Sequence, residues 1–162
     1  MTRTLKFLIV LPVLISFSCK ETNFRFIATA SYSGLKEERL GESSYYLKFP
    51  STMFIEESRG KEGQLGYGLW EIDSLKRYVS PSGFIEIEHG KPIGWEPDCD
   101  MSIEKIRSNL FDGRVKWTIC KSETGSYYTA FAYHGDLTLS ADSRTRAGLD
   151  SMIAIIATLL SR

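Results

Sequence analysis

The apolar positions of this chain follow three patterns. Positions 7–17 (FLIVLPVLISF) form one continuous apolar run, interrupted by Pro12. From position 44 to about position 140 the dominant period is two, which predicts half-buried strands. Beyond position 142 the period is helical. Leu149, Met152, Ile153, Ile156, Leu159 and Leu160 line one stripe there, with Asp142 or Ser143 placed to cap it.

Within the middle region, Tyr45, Leu47 and Phe49 alternate with Tyr46 and Lys48 until Pro50 ends the run. Positions 53–55 give a second short strand. Positions 65–72 (LGYGLWEI) alternate through glycines, which predicts a bulge or a close backbone approach. In 84–88 (FIEIE) the isoleucines Ile85 and Ile87 turn inward and Glu86 and Glu88 outward, before Gly90 and Pro92 stop the strand. Ile103, Ile106, Leu110 and Phe111 fall at helical spacing, with Ser102 as cap and Asp112-Gly113 as stop, so a mid-chain helix is expected over 102–111. Val115, Trp117 and Ile119, a turn at 123–126, and a return through Tyr127, Thr129, Phe131 and Tyr133 predict a β-hairpin. Leu137 and Leu139 begin a last strand.

Assembled, these elements predict an α+β fold: an antiparallel sheet with the mid-chain helix and the C-terminal helix packed on it, forming one domain over 44–162. Positions 19–43 read as a tether. Phe24, Phe26 and Ile27 offer a short strand there, but Gly34 and the charged 36–39 break the pattern. The order of elements resembles the PsbP-like α/β sandwich, through the strand ending Lys48-Phe49-Pro50, the Trp117–Tyr133 hairpin, and the Ile155-Ile156-Ala157-Thr158-Leu159 ending of the terminal helix. That resemblance implies a binding or assembly accessory without catalysis, and it transfers no functional residue.

The N-terminal run has another role. Arg3 and Lys6 precede it, no acid falls within 1–18, and an apolar stretch of eleven residues, softened by Ser16, is about half of what a membrane-crossing helix needs. This is the composition of a signal peptide. Its end, Ile15-Ser16-Phe17-Ser18-Cys19, resembles a bacterial lipoprotein signal, with small Ser18 before the cysteine and Ser16 where leucine is usual. The resemblance implies cleavage after residue 18 and acylation of Cys19. The expected localisation is therefore the cell envelope, membrane-anchored through N-terminal acyl chains, with the leaflet open.

The 162 residues are 43% hydrophobic and 12% aromatic, enough for a real core. Basic and acidic residues number 20 each, and loss of Arg3 and Lys6 with the leader leaves 18 against 20. Such a balance lacks the basic footprint of a nucleic-acid binder. With Cys19 taken by lipid, Cys99 and Cys120 form an even pair in an exported chain, and a disulfide between them is expected. It would close a loop of about 22 residues and contribute roughly 3 kcal/mol. Glu96, Asp98 and Asp100 around Cys99 argue against an activated thiol.

No other motif carries chemistry. Glu86, Glu88, His89, Asp98 and Asp100 could gather a divalent cation, but the strand acids belong on a wet face. His89 and His134 lack a third zinc ligand at usable spacing, and Gly60-Lys61 leads into Glu62 rather than the Ser or Thr of a phosphate loop. No cofactor is expected. Aromatics on both faces of a strand are more informative, and Tyr46, Tyr67, Trp95 and Tyr128 are the candidate partner surface. The function expected is a non-catalytic binding or accessory lipoprotein with an envelope protein partner. An envelope immunity or inhibitor lipoprotein, or a hydrolase built on an acid pair such as Glu86 with Asp98, are the alternatives.

Overall fold

A computed structural model describes residues 25–31, 33–60, 63–72, 78–87, 101–113 and 115–162, without the side chains of 78–81 and 101–103. In chain order the strands are β1 (Arg25–Ile27), β2 (Leu35–Arg39), β3 (Tyr45–Pro50), β4 (Met53–Arg59), β5 (Leu65–Ile72) and β6 (Tyr78–Ile87). They continue with β7 (Met101–Ser108), β8 (Lys116–Lys121), β9 (Tyr128–His134), β10 (Leu137–Ser143) and, after the helix α1 (Arg146–Ile156), β11 (Leu160–Ser161). The fold is thus mostly β with one helix among the described residues, which corrects the expected α+β arrangement of a mid-chain and a C-terminal helix.

The correction falls on positions 102–111. Burial there has period two: Ile106, Ser108 and Leu110 are buried while Lys105, Arg107 and Asn109 are exposed. Strand β7 is bonded on both sides, to β1 and to β8. Two ladders outweigh a weak helical spacing, and a register shift falls between Ser102 and Glu104. Within the span read as a tether, β1 falls where Phe26 and Ile27 offered a short strand, β2 follows it, and Ile27 and Leu40 join the core.

Eight strands form one sheet in the order β1-β7-β8-β9-β10-β6-β5-β4, and β11-β3-β2 form a second, smaller one. The β1–β7 pair is parallel and the others are antiparallel. One face of the large sheet carries Ile85, Trp117, Ile119, Ala130, Ala132, Leu139 and Ala141, and α1 and the small sheet cover it. Small residues let the helix approach: a Cβ on Gly83 would lie 2.8 Å from Met152 Sδ and 3.2 Å from Ile156 Cδ1. Thr145 caps α1, its hydroxyl accepting from the Gly148 amide at 3.1 Å. The helix stops at Ile156, so Leu159 is buried beyond it and Leu160 lies in β11. Thr158 then pins the exit to β3, its hydroxyl accepting from the Lys48 amide at 2.9 Å and donating to the Lys48 carbonyl at 2.8 Å.

The opposite face of the large sheet carries Phe54, Trp70, Phe84, Phe131 and Tyr133, interleaved with Thr129, Thr138 and Asp142. On β9 the inward residues are therefore the alanines and not the aromatics. Rings lie across the strand glycines, because a Cβ on Gly68 would come within 2.9 Å of Trp70 Nε1 and one on Gly66 within 2.5 Å of Phe84 Cζ.

An ionic cluster fastens β1. The Arg25 guanidinium donates to both Asp150 oxygens at 2.7 and 2.8 Å and to Glu104 at 3.0 Å, while Arg146 Nε donates to Asp150 at 3.0 Å. Burial pushes the Asp150 carboxyl up, but the hydrogen bonds from Arg25 and Arg146 outweigh it and hold the carboxyl below its ordinary value. A lowered folded value means that the stabilisation is present above the unfolded carboxylate pKa of about 3.9 and disappears as pH falls through the folded value. Asp150→Asn is accordingly expected to cost about 1 kcal/mol at pH 7 and less at a pH below the folded value. Urea titrations at both pH values check this, and an equal cost at both would refute the ionic account.

Candidate binding groove

The turn from β7 to β8 passes through three successive left-handed residues, Phe111 (φ 47°), Asp112 (φ 59°) and Gly113 (φ 74°). Glycine takes that conformation freely, whereas a bulky Phe pays a steric cost of roughly 1–2 kcal/mol. What holds Phe111 there is visible: its ring stacks on the His134 imidazole with centroids 4.5 Å apart and planes 19° from parallel. Strain maintained by its surroundings is a feature of binding and switching sites.

Phe111 and Asp112 form one rim of a groove of ≈ 440 Å³. Thr29, Ala30, Asn109, Lys48 and the segment 157–161 complete its lining, with the Thr29 hydroxyl 3.5 Å from the Ala157 carbonyl. A second, more open hollow of ≈ 490 Å³ lies beyond, lined by Ala30, Ser31, Ser33, Gly34, Leu35, Glu37 and Lys48. Ala30 and Lys48 belong to both, so the two hollows adjoin. Lys48 Nζ lies 3.5 Å from Glu37, which also holds Arg162 at 2.9 Å. The wall at β11 offers backbone as well as side chain. The Arg162 amide bonds the Ser44 carbonyl, and in an antiparallel ladder the next residue, Ser161, then turns its N–H and C=O away from β3. Behind the groove, the Tyr45 hydroxyl donates to Asp136 at 2.9 Å and ties the β9–β10 turn to the small sheet. Burial first, and then the Asp136 carboxylate, push Tyr45 up to about 12, so this bond persists throughout the neutral range.

Chemically the groove combines an ammonium, a carboxylate, hydroxyls, a free strand edge and the apolar Phe111 and Leu160. That is a surface for a polar, extended ligand with some apolar content. Among the described residues no group of three His, Cys, Asp or Glu side chains stands together in a way that could hold a metal ion.

The candidates named from sequence are scattered. Tyr67 is 1% exposed and sits in the core beside Glu57, so it presents no surface. Tyr46 is half-buried beneath the Arg162 guanidinium, 5.0 Å from its ring, and Tyr128 is half-buried with Lys121 Nζ 5.7 Å from its ring. Trp95, Cys19 and Cys99 lie outside the described residues, as do Glu88, His89, Asp98 and Asp100; Glu86 is on the outward face of β6. Cys120 is buried and disulfide-bonded. The most exposed large apolar side chains described are instead Phe26 (52%), Tyr133 (40%), Tyr127 (38%) and Leu160 (37%). Phe111, Asp112 and Leu160, the residues of the groove, were read from sequence as ordinary helix positions and a helix stop. The Asp-Gly pair was the available signal, because it marks a turn whichever element precedes it.

No family model, no curated protein and no solved structure matches the chain.

Proposed function

We propose that this chain is an exported lipoprotein, acylated at Cys19, that binds an envelope protein partner without catalysis, with the groove between the β7–β8 turn and β11 as its contact. The observation that carries the reading is the disulfide at Cys120. Stable disulfides belong to oxidising compartments, which agrees with a leader ending at residue 18. The chain has three cysteines, so a bond at Cys120 takes either Cys19 or Cys99 and leaves the other for different chemistry. Cys99 is the nearer along the chain. Ser102 is directly opposite Cys120, and the three residues back to Cys99 span at most about 11 Å. Pairing Cys99 with Cys120 leaves the Cys19 thiol for acylation.

Support for a protein partner comes from the groove itself: a strained ring on one rim, a free strand edge on the other, and opposite charges in Lys48 and Asp112. Two measurements test the proposal. Mass spectrometry of the mature protein is expected to show an N-terminal Cys19 bearing acyl chains, and an unmodified N-terminus or a retained leader overturns the anchor. Affinity capture from envelope extract is expected to recover one specific protein with wild type and at least about tenfold less with Leu160→Arg, which places a charge in the groove at unchanged circular dichroism. Equal recovery by both proteins removes the groove from the interface.

A further inference from the structure

We propose that the β1 edge of the large sheet lies against an anionic lipid bilayer with Phe26 at the interface, and that the β4 edge points away from it. The proposal rests on acylation at Cys19 and adds the posture of the domain. Five residues separate Cys19 from Arg25, and the six steps of chain span at most about 21 Å. The far end of that span is fixed, because Arg25 is clasped by Asp150 and Glu104. Strand β1 is also the outermost strand of the eight. Whatever anchors Cys19 therefore holds this edge of the sheet near the membrane.

The edge has the chemistry for it. Phe26 stands opposite Arg107 in the parallel ladder and turns to the outward face, where it is 52% exposed. Lys105 is exposed on the same face in the next row, and Arg107 and Lys116 add two cations to that corner while also engaging other parts of the protein. An aromatic ring among cations suits the headgroup region of an anionic bilayer. The opposite edge lacks that excess of cations: β4 exposes Glu56 and Glu57 with a single cation, Arg59, which pairs with Glu57 at 3.4 Å. It lies seven strand spacings from β1, about 33 Å in a flat sheet and less in a twisted one.

The test uses the full acylated protein in vesicles of phosphatidylethanolamine and phosphatidylglycerol containing brominated acyl chains, which quench tryptophan on contact. Phe26→Trp and Glu56→Trp each add one indole, read as the difference from wild type. The emission added by Phe26→Trp is expected to fall about twofold or more, and that added by Glu56→Trp to stay unchanged. Protein that floats with the vesicles but shows an unquenched Trp at 26, or equal quenching at 26 and 56, overturns the posture and leaves the anchor standing; the first outcome would leave Phe26 to a protein partner. Protein that fails to float and carries no acyl mass removes the anchor, and the posture with it.

Discussion

Trp117→Ala is expected to cost about 3–5 kcal/mol, the largest single effect of any substitution in the core. Trp117 is fully buried on β8, on the face covered by α1 and the small sheet. Truncation loses the transfer free energy of an indole and leaves a cavity that the flanking strands cannot close, because both sides of β8 are bonded into ladders. It also removes a polar contact. Trp117 Nε1 donates to Ser108 Oγ at 2.9 Å, and Ser108 is fully buried on the neighbouring strand. A buried indole N–H needs such a partner, so Ser108 is there for the tryptophan. Trp117→Phe should keep most of the volume and cost about 1–3 kcal/mol, while Ser108→Ala, which orphans the N–H, should cost about as much. The double variant should cost less than the sum, since neither orphan remains. For a domain whose whole stability is roughly 5–15 kcal/mol, Trp117→Ala removes a large share. Urea unfolding followed by circular dichroism reads all four. A loss under about 1 kcal/mol in Trp117→Ala would mean that the β8–β9 core is not what holds the sheet.

Trp117 was also among the most legible residues. Val115, Trp117 and Ile119 alternate with polar residues, and all three are buried where a period of two places them. Ile85 and Ile87, Leu47 and Phe49, and the stripe from Leu149 to Ile156 were legible for the same reason: each segment has one wet side. The reading failed where one apolar spacing fits two periods, and where both faces of a strand carry apolar residues. On β7 the apolar residues fit a helix in sequence, and only pairing with β1 and β8 decides otherwise. On β9 Phe131 and Tyr133 share one face, and the inward positions are instead Ala130 and Ala132, where α1 comes close. Residue size cannot reveal how near a helix sits. The groove was illegible for a third reason. It is assembled from segments around 29, 48, 109–112 and 157–161, far apart in sequence, and the conformation of Phe111 is set by His134, a contact no local pattern encodes.

Cys120→Ser is expected to cost about 2–5 kcal/mol, and the same loss should follow reduction of the wild-type protein. Cys120 is 4% exposed on β8, opposite Ser102 on one side and Thr129 on the other, and it is disulfide-bonded. Removing the bond frees the unfolded chain, and the amount depends on the loop released. Pairing with Cys99 closes about 22 residues, worth roughly 3 kcal/mol, whereas pairing with Cys19 would close about 100, worth roughly 4.7 kcal/mol. Single substitutions separate the two more sharply than the magnitudes do. If Cys99 is the partner, Cys99→Ser matches Cys120→Ser, reduction adds nothing further to either, and Cys19→Ser leaves stability unchanged while abolishing acylation. If Cys19 is the partner, Cys99→Ser is silent and Cys19→Ser is costly; the thiol required for acylation would then be occupied, and the lipoprotein reading would fall with it. One set of denaturation curves, with and without reductant, therefore decides both the pairing and the means by which the domain reaches a membrane.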